Sequence, residues 1–284
     1  MRPAAGAKLG DERSGALAAT FDVADDLLWQ AEAGRLAARG VITIGRSGQI
    51  GPLVELALAA RATPTAYASV TVTPPFYEHV VQGLVAGRIS GGGARDIAGV
   101  FPLARLDPAS DDSHWHQWAS HAENAAVASG LARSLVNGLM GALGELQENV
   151  YQHSGRPETG LVAYATVNGT FEFVVADAGV GVLTSLRENP ELTQLADSGD
   201  ALRVAVSDGA SRHGRASGRG YGIGQLFRAL AHDSAELRFR SGDHALRLWG
   251  DAPSLSGRYE VAQKARMDGL IITVRCAPRR RDEA

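Results

Sequence analysis

The sequence GLVAYATVNGTFEFVVAD, residues 160–177, predicts a β-hairpin in the second half of the chain. Two runs rich in β-branched and aromatic residues, 160–167 and 170–177, flank the pair Asn168-Gly169. Asn-Gly is favoured in two-residue hairpin turns because both central residues must adopt a positive φ. These residues therefore predict an antiparallel pair of strands joined by a tight turn.

The segments around this hairpin predict a sheet with helices beside it. A long helical stretch from about Glu123 to His153, with a kink near its glycines left open, precedes the hairpin. A polar segment with short helices, 183–217, follows it. Three further strands are predicted near the end of the chain, at 235–240, 245–250 and 269–276. Helices beside a largely antiparallel sheet indicate an α+β fold, arranged as a two-layer α/β sandwich.

The first half of the chain predicts a smaller N-terminal α/β domain. Its patterns read helix, strand, helix, strand, helix, over residues 27–38, 41–45, 52–62, 68–73 and 76–87. The turn-forming residues of LDPASDDS (106–113) predict a linker, so we place a boundary near residue 115. The predicted organisation is an N-terminal domain (1–115), a second domain (116–278) and a polar tail (279–284).

Composition limits the classes of partner and the compartment. The chain has 284 residues, of which 45% are hydrophobic, and a net charge of −3, which gives no electrostatic case for a nucleic-acid or anionic-membrane partner. The single cysteine, Cys276, excludes an internal disulfide and is typical of a reducing compartment. No apolar run approaches the roughly 18 residues of a membrane-spanning helix. We therefore predict a cytoplasmic protein.

The helical stretch GELQENVYQHS (144–154) carries polar residues at a regular spacing. Glu145, Asn149 and His153 are four residues apart, so on a helix they form one strip. This strip flanks an apolar stripe that faces the core, formed by Leu139, Leu143, Leu146 and Val150. Two interpretations are open: a ligand site at the edge of the core, or a helix flank whose polar groups bond to a neighbouring loop.

The segment VVADAGVGV (174–182) predicts a buried strand that ends in Asp177, followed by Gly179 and Gly181. A carboxylate at the end of a strand can accept a hydrogen bond from an exocyclic amine, and glycines let the backbone approach a flat ligand closely. A plain Asp-Ala-Gly turn is the alternative interpretation.

The segment GRGYGIGQLFRAL (218–230) places four alternate glycines before a predicted helix. Free N–H groups at the start of a helix, supported by the helix dipole, bind phosphate groups. A flexible linker would have a similar sequence, so this segment is informative only together with the other two.

In this order, the three segments resemble the motifs of the GHKL ATPase superfamily, which includes gyrase, the ninety-kilodalton heat-shock chaperones, sensor histidine kinases and the MutL mismatch-repair ATPases. ELQENVYQH resembles the N box, DAGVG the first glycine box and GRGYGIG the second. The resemblance covers roughly residues 120 to 276. It implies a Bergerat-type ATP-binding fold for this part of the chain, with ATP and Mg²⁺ as ligands.

For the helix, the resemblance implies roles in metal binding and catalysis. Asn149 would complete the coordination of a Mg²⁺ ion that bridges the phosphates, since its amide oxygen suits a hard cation. Glu145 would be the catalytic general base that orients a water molecule or a protein hydroxyl for attack on the γ-phosphorus. His153 would support the site, and a contact at the end of the helix is the alternative.

For the other two motifs, the resemblance implies contacts with the nucleotide itself. Asp177 would bind the adenine amino group, and Gly179 and Gly181 would shape the base pocket. A mobile lid of about residues 183–220 would close over the phosphates, helped by Arg212, Arg215 or Arg219, although solvated loop arginines are the alternative. The phosphate-binding segment comprises Gly218, Arg219, Gly220, Tyr221, Gly222, Ile223 and Gly224.

The sequence departs from the superfamily pattern at the start of the last strand. Many members have a Gly-Thr pair there, whose hydroxyl helps to hold the base pocket, whereas this chain has Gly269-Leu270. The hydroxyl is therefore missing unless Thr273 substitutes for it.

The resemblance implies a Mg-ATP-binding ATPase that acts as a nucleotide-dependent conformational switch or regulator. Two alternatives remain open: a protein serine kinase of the anti-sigma-switch type acting on a STAS-domain partner, and an ATP-binding regulatory module without hydrolysis. A protein partner is expected in each case, and homodimerisation is left open.

Two other motifs are interpreted structurally. GRSGQIG (45–51) lies between a strand and a helix but lacks the GxGxxG spacing, so we interpret it as a turn. His114, His116 and His121 invite a metal-site interpretation, but Trp115 and Trp118 between them indicate packing instead.

Overall fold

The computed structural model describes residues 16–46, 48–91, 96–106, 112–206, 234–249 and 259–278. These residues form two β-sheets, one of three parallel strands and one of five antiparallel strands, with helices packed around them. The prediction of a mixed fold, in which helices accompany an antiparallel sheet, is confirmed.

The smaller sheet and three helices come from the N-terminal part of the chain. The strands, in the order β1-β2-β3, are β1 (Leu17–Ala18), β2 (Ile42–Arg46) and β3 (Val70–Val72). The helices are α1 (Phe21–Glu32), α2 (Gly51–Ala62) and α3 (Pro75–Ala86). The predicted helix 27–38 is wrong in its bounds, because Gly34 adopts a φ of +67° after α1 and a 3-10 turn, Leu36–Arg39, follows.

The larger sheet contains the predicted hairpin. Its strand order is β4-β5-β6-β8-β7, and every neighbouring pair is antiparallel. The turn between β5 and β6 has positive φ angles at both Asn168 (51°) and Gly169 (73°), as the Asn-Gly pair predicts. The strands are β4 (Ala98–Pro102), β5 (Leu161–Val167), β6 (Thr170–Asp177), β7 (Ser234–Trp249) and β8 (Tyr259–Ala277).

The last part of the sheet is a pair of long strands, and the prediction of three shorter ones is wrong. The predicted strands 235–240 and 245–250 belong mostly to the single strand β7, and the predicted strand 269–276 is the second half of β8. The pairing register shifts between Ser241 and His244, where Gly242 has a φ of +60°. A β-bulge absorbs extra residues without ending a strand, so the polar residues that suggested a break mark a bulge instead.

The helices after β4 differ from the single long helix predicted from 123 to 153. Two helices fill this region, and Gly130, with a φ of +95°, lies in the short connection between them. Two shorter helices follow β6. The four helices are α4 (Ser113–Ala128), α5 (Arg133–His153), α6 (Gly181–Arg187) and α7 (Ser198–Val206).

Helices cover both faces of the larger sheet. Along β6, Phe173 and Val175 pack against α4, α5 and α7, while Val174 and Ala176 pack against the N-terminal helices. The two-layer prediction is therefore incomplete, because the N-terminal part of the chain forms a third layer on the second face. Strand β4, which precedes residue 115, pairs with β5 in the same sheet.

A buried cluster of charged side chains joins the N-terminal helices to the sheet. Arg238 and Arg240 of β7 both bind Asp25 of α1 and Glu55 of α2, at 2.6–3.2 Å. Lys264 of β8 contacts the second oxygen of Asp25 at 2.7 Å. Burial alone would raise the pKa of Asp25, but the neighbouring Arg238 and Arg240 hold it below its usual value.

Aromatic side chains form the core between α4 and the sheet. The rings of Trp115 and Trp118 stack with centroids 5.6 Å apart, and Phe101 meets Trp115 edge-on at 5.3 Å. Tyr164 of β5 lies 5.2 Å from Trp118, which is 1% exposed. The interpretation of the two tryptophans as packing residues is confirmed.

Candidate functional site

The polar strip predicted on α5 lies at the edge of the core. Glu145, Asn149 and His153 are all partly buried, whereas Leu146 and Val150 are almost fully buried against the sheet. Residues four apart on a helix are about 6 Å apart along its axis. The three polar side chains therefore follow one another over two turns, next to the buried face.

Asp177 is the last residue of β6 and a buried carboxylate. It is 2% exposed, and its Oδ1 accepts a hydrogen bond from the backbone N–H of Gly179 at 2.8 Å. Burial raises the pKa of Asp177 to about 6, although backbone hydrogen bonds from Gly179 and Leu270 act in the opposite direction. At neutral pH the side chain is therefore mainly ionised, and it is a strong acceptor in a water-poor environment.

The loop after Asp177 is bonded to Ser154, the residue directly after α5, and to the turn that follows it. The N–H of Val180 donates to the carbonyl oxygen of Ser154 at 2.8 Å. The N–H of Ala178 donates to Oγ1 of Thr159 at 3.0 Å, and this hydroxyl donates to the carbonyl of Arg156 at 2.7 Å. These bonds bring the Asp177 loop to the end of the helix that carries Glu145, Asn149 and His153.

The spacing of residues along α5 gives the distances between the polar side chains and the Asp177 loop. Asn149 precedes Ser154 by five residues, and Glu145 precedes it by nine. At 1.5 Å per residue, these positions lie about 7.5 Å and about 13.5 Å along the helix axis from the contact with the loop. An elongated ligand with one end beside Asp177 could therefore extend along the polar strip towards Glu145.

In the predicted first glycine box, the glycines lie where backbone segments pack closely against each other. A Cβ on Gly179 would overlap the carbonyl group of Ser154. Gly181 has a φ of +76°, and a Cβ there would lie 2.9 Å from the hydroxyl of Ser241. Gly269 of β8 has a φ of +79°, and its Cβ would overlap the carbonyl oxygen of Asp177. The three glycines allow backbone segments to touch around the Asp177 loop.

Ser241 of β7 is a site residue that sequence reasoning missed. It is 3% exposed, donates to the carbonyl oxygen of Gly269 at 2.7 Å, and accepts from the N–H of Val182 at 3.0 Å. No local motif marks Ser241, because its role depends on the strand order that brings β7 beside β8. The neighbouring Gly242, which the bulge requires, is the one signal in the sequence.

The suggestion that Thr273 supplies the hydroxyl missing at Leu270 is wrong. Thr273 faces the N-terminal helices, because a Cβ on Gly51 of α2 would lie 2.7 Å from its Oγ1. Strand alternation places Asp177 on the other face of the sheet, with Phe173 and Val175. The hydroxyl of Thr273 therefore points away from the candidate site.

The remaining predicted residues lie mostly outside the described part of the chain. Helices α6 and α7 occupy the described part of the predicted lid. The phosphate-binding segment and the lid arginines fall outside the described residues, namely Arg212, Arg215, Gly218, Arg219, Gly220, Tyr221, Gly222, Ile223 and Gly224.

A second buried carboxylate, Glu172, lies on the opposite face of the sheet. It is 2% exposed and accepts hydrogen bonds from the N–H groups of Gly51, at 2.7 Å, and Ile50, at 3.2 Å. Burial raises its pKa to about 7. The segment GRSGQIG thus leads into α2, whose first amide groups bind a side chain of the protein itself.

The described residues contain no group of three or more His, Cys, Asp or Glu side chains that could hold a metal ion. Of the helices in the described ranges, none has both the length and the apolarity that a bilayer crossing requires. Comparison of the chain with protein-family models, with curated proteins and with solved structures gives no match.

Proposed function

We propose that this protein binds Mg-ATP at the site formed by Asp177 and α5, in a fold of the GHKL type, and acts as a nucleotide-dependent switch or regulator. The observation that carries the proposal is the buried carboxylate of Asp177, held by backbone contacts at the end of the helix with the polar strip. The five-stranded antiparallel sheet with helices on the same face supports it.

Asp177 suits an adenine ring better than it suits a cation. Its Oδ1 already accepts the N–H of Gly179, so the carboxylate has a fixed orientation. A buried acceptor with a fixed orientation favours ligands that present an N–H group. A ligand without such a donor would leave the carboxylate without a hydrogen-bond partner, at a cost in binding free energy. The exocyclic amine of adenine is such a donor.

Asn149 is suited to contribute to a magnesium site that the nucleotide completes. Mg²⁺ is commonly bound by one or two protein oxygens together with substrate phosphates and water. The partly buried amide of Asn149, about one and a half helical turns before the contact with the Asp177 loop, provides one such oxygen. When bound, the ion would neutralise charge on the phosphates.

Glu145 is placed to act as a general base for hydrolysis. It lies one turn before Asn149 on the same strip, and its side chain is partly exposed, so water can reach it. A carboxylate there could orient water for in-line attack on the γ-phosphorus.

Nucleotide titration with and without Mg²⁺ tests this proposal directly. We expect ATP binding that requires Asp177 and depends on Mg²⁺ through Asn149. Glu145→Ala should abolish turnover and leave ATP binding near the wild-type value, whereas Glu148→Ala, on the exposed side of α5, should change neither. A wild-type protein that does not bind ATP would overturn the proposal.

Product analysis then separates the modes of action. Free phosphate from wild-type protein, lost in Glu145→Ala, identifies an ATPase. Transfer of labelled phosphate to a serine of a STAS-domain protein identifies a kinase of the anti-sigma-switch type. Stabilisation by ATP with neither product identifies a regulatory module that presents a surface to a protein partner.

A further inference from the structure

We propose that Ser241 is a positioning residue of the base pocket, and that its hydroxyl fixes the loop after Asp177 against β8. This inference rests on the proposed function, since it concerns the same pocket. The side chain of Ser241 lies on the same face of the sheet as Asp177, whereas the hydroxyl of Thr273 lies on the other face.

Strand pairing puts Ser241 in line with Asp177. Asp177 of β6 is paired with Leu270 of β8, and Leu270 is paired with Ser241 of β7. Directly paired residues of antiparallel strands point to the same face, and neighbouring strands are about 4.8 Å apart. Ser241 therefore lies about 10 Å from Asp177, on the same face, with one leucine between them.

The hydroxyl of Ser241 joins two elements that border the pocket. It accepts from the N–H of Val182, in the first turn of α6, and donates to the carbonyl oxygen of Gly269 on β8. The first N–H groups of a helix have no partner within the helix, so this bond satisfies a donor and fixes where α6 begins. Both hydrogen bonds of the hydroxyl are made within the protein, and Ser241 acts through these partners.

The fit between Ser241 and Gly181 shows that the two positions depend on each other. A Cβ on Gly181 would lie 2.9 Å from Oγ of Ser241, closer than ordinary contacts allow. The space that the glycine leaves open is thus partly occupied by the serine hydroxyl. Gly181 allows this hydroxyl to reach the backbone of α6, in addition to adopting its φ of +76°.

A bulge begins directly after Ser241 in β7, whose own pairing with Leu270 is regular. Gly242, with a φ of +60°, follows Ser241, and a Cβ there would overlap the side chain of Ser198 at the start of α7. Bulges redirect side chains and occur next to active sites. At this point β7 contacts α6 through Ser241 and α7 through Gly242.

The test compares Ser241→Ala and Ser241→Thr with wild-type protein. Ser241→Ala removes one hydroxyl and both bonds, so we expect the affinity for ATP and for adenosine to fall about tenfold. Ser241→Thr keeps the hydroxyl on a residue that favours strands, and we expect affinity within about threefold of wild type. Affinity for inorganic tripolyphosphate, which has no base, should stay unchanged in both variants.

Ser129→Ala is the matched control for a loss of folding stability alone. Ser129 is also buried, and its hydroxyl donates to the carbonyl of Ala126 at 2.7 Å, at the end of α4. We expect a similar fall in melting temperature for Ser129→Ala and Ser241→Ala, but loss of adenosine affinity only for Ser241→Ala. If Ser241→Ala does not fold, Ser241→Cys replaces it, with the same expected loss.

The outcomes separate this inference from the proposed function. A wild-type protein that ignores ATP overturns the proposed function and this inference with it. A wild-type protein that binds ATP, together with a folded Ser241→Ala or Ser241→Cys variant of unchanged adenosine affinity, overturns the role of Ser241 alone. Equal losses of adenosine and tripolyphosphate affinity would also overturn it, because they would show a general distortion.

Discussion

Arg240 and Ser241 are consecutive residues of β7 whose side chains contact opposite layers of the molecule. Arg240 binds Asp25 and Glu55 on the N-terminal helices, while Ser241 binds the backbone of α6 and β8 beside Asp177. One strand is thus in direct contact with both the N-terminal layer and the candidate nucleotide site. The N-terminal part of the chain is therefore part of the support on which the site is built.

The charged cluster should matter more for stability than the ion pairs on the surface. Glu55→Gln removes one of the buried negative charges that compensate Arg238 and Arg240, and leaves the volume nearly unchanged. Breaking a buried pair in this way typically costs several kcal/mol, so we expect a loss of roughly 3 kcal/mol in urea unfolding. Arg39→Ala, which breaks the exposed pair with Asp26, should cost less than about 1 kcal/mol. Equal effects of the two variants would contradict this account.

The hairpin and the polar strip were predictable because their signals are local. Asn168 and Gly169 are adjacent in sequence, and their turn conformation follows from their own backbone preferences. Likewise, the spacing of Glu145 and Asn149 fixes their common side of a helix, whatever the helix packs against. Such local features can be predicted correctly even where the bounds of the element are predicted wrongly, as for the helix before the hairpin.

The packing of the N-terminal helices on the second face of the sheet was not predictable, because its contacts join residues that are far apart in sequence. Asp25 and Arg238 are separated by 213 residues, and each alone is typical of a solvated surface. Glu172 likewise lies in the polar-apolar alternation of Thr170 to Phe173, which suits an exposed face. Only the packing of α1 and α2 against the sheet shows that these charges are buried and paired.

Binding of adenosine should depend on pH through Asp177. Its pKa is raised to about 6 by burial, so acidification protonates the carboxylate that accepts the adenine N–H. For a single group of this pKa, affinity should fall by roughly tenfold between pH 7 and pH 5. Adenosine is the right probe because it has no phosphate that titrates.

Asp177→Asn provides the control for this pH profile. The amide has no charge to lose, so its weaker adenosine binding should stay constant between pH 7 and pH 5. Isothermal titration calorimetry of both proteins measures the difference. A wild-type profile that is equally flat would exclude Asp177 as the acceptor.

Gly179 should tolerate no side chain, in contrast to a glycine of α5. Gly179→Ala would force a Cβ into the carbonyl group of Ser154, so the loop must move away from the helix. We expect a loss of roughly 2 kcal/mol or more in unfolding free energy, together with loss of ATP binding. Gly141→Ala is the matched control, because nothing lies within 4 Å of its Cβ position. That change should stabilise α5 by roughly 0.5–1 kcal/mol and leave ATP binding unchanged.

Glu172 should make the protein less stable as the pH rises towards neutrality. In the folded protein the pKa of Glu172 is about 7, raised by burial from 4.5, while an unfolded chain keeps the lower value. Between these values the folded state holds a proton that the unfolded state has released. Folding stability from this group is therefore fully present below about pH 4.5 and is lost as the pH rises through about 7.

The substitution Glu172→Gln isolates this contribution. A rise in pKa from 4.5 to about 7 corresponds to about 3 kcal/mol, so the variant should gain up to this amount relative to wild type between pH 4.5 and pH 8. Urea unfolding of both proteins at several pH values measures the difference in their unfolding free energies. The contributions of other titrating groups, such as Asp177, are common to both proteins and cancel in this difference. If the difference for Glu172→Gln does not vary with pH, the amides of Gly51 and Ile50 stabilise the charged carboxylate enough to offset its burial.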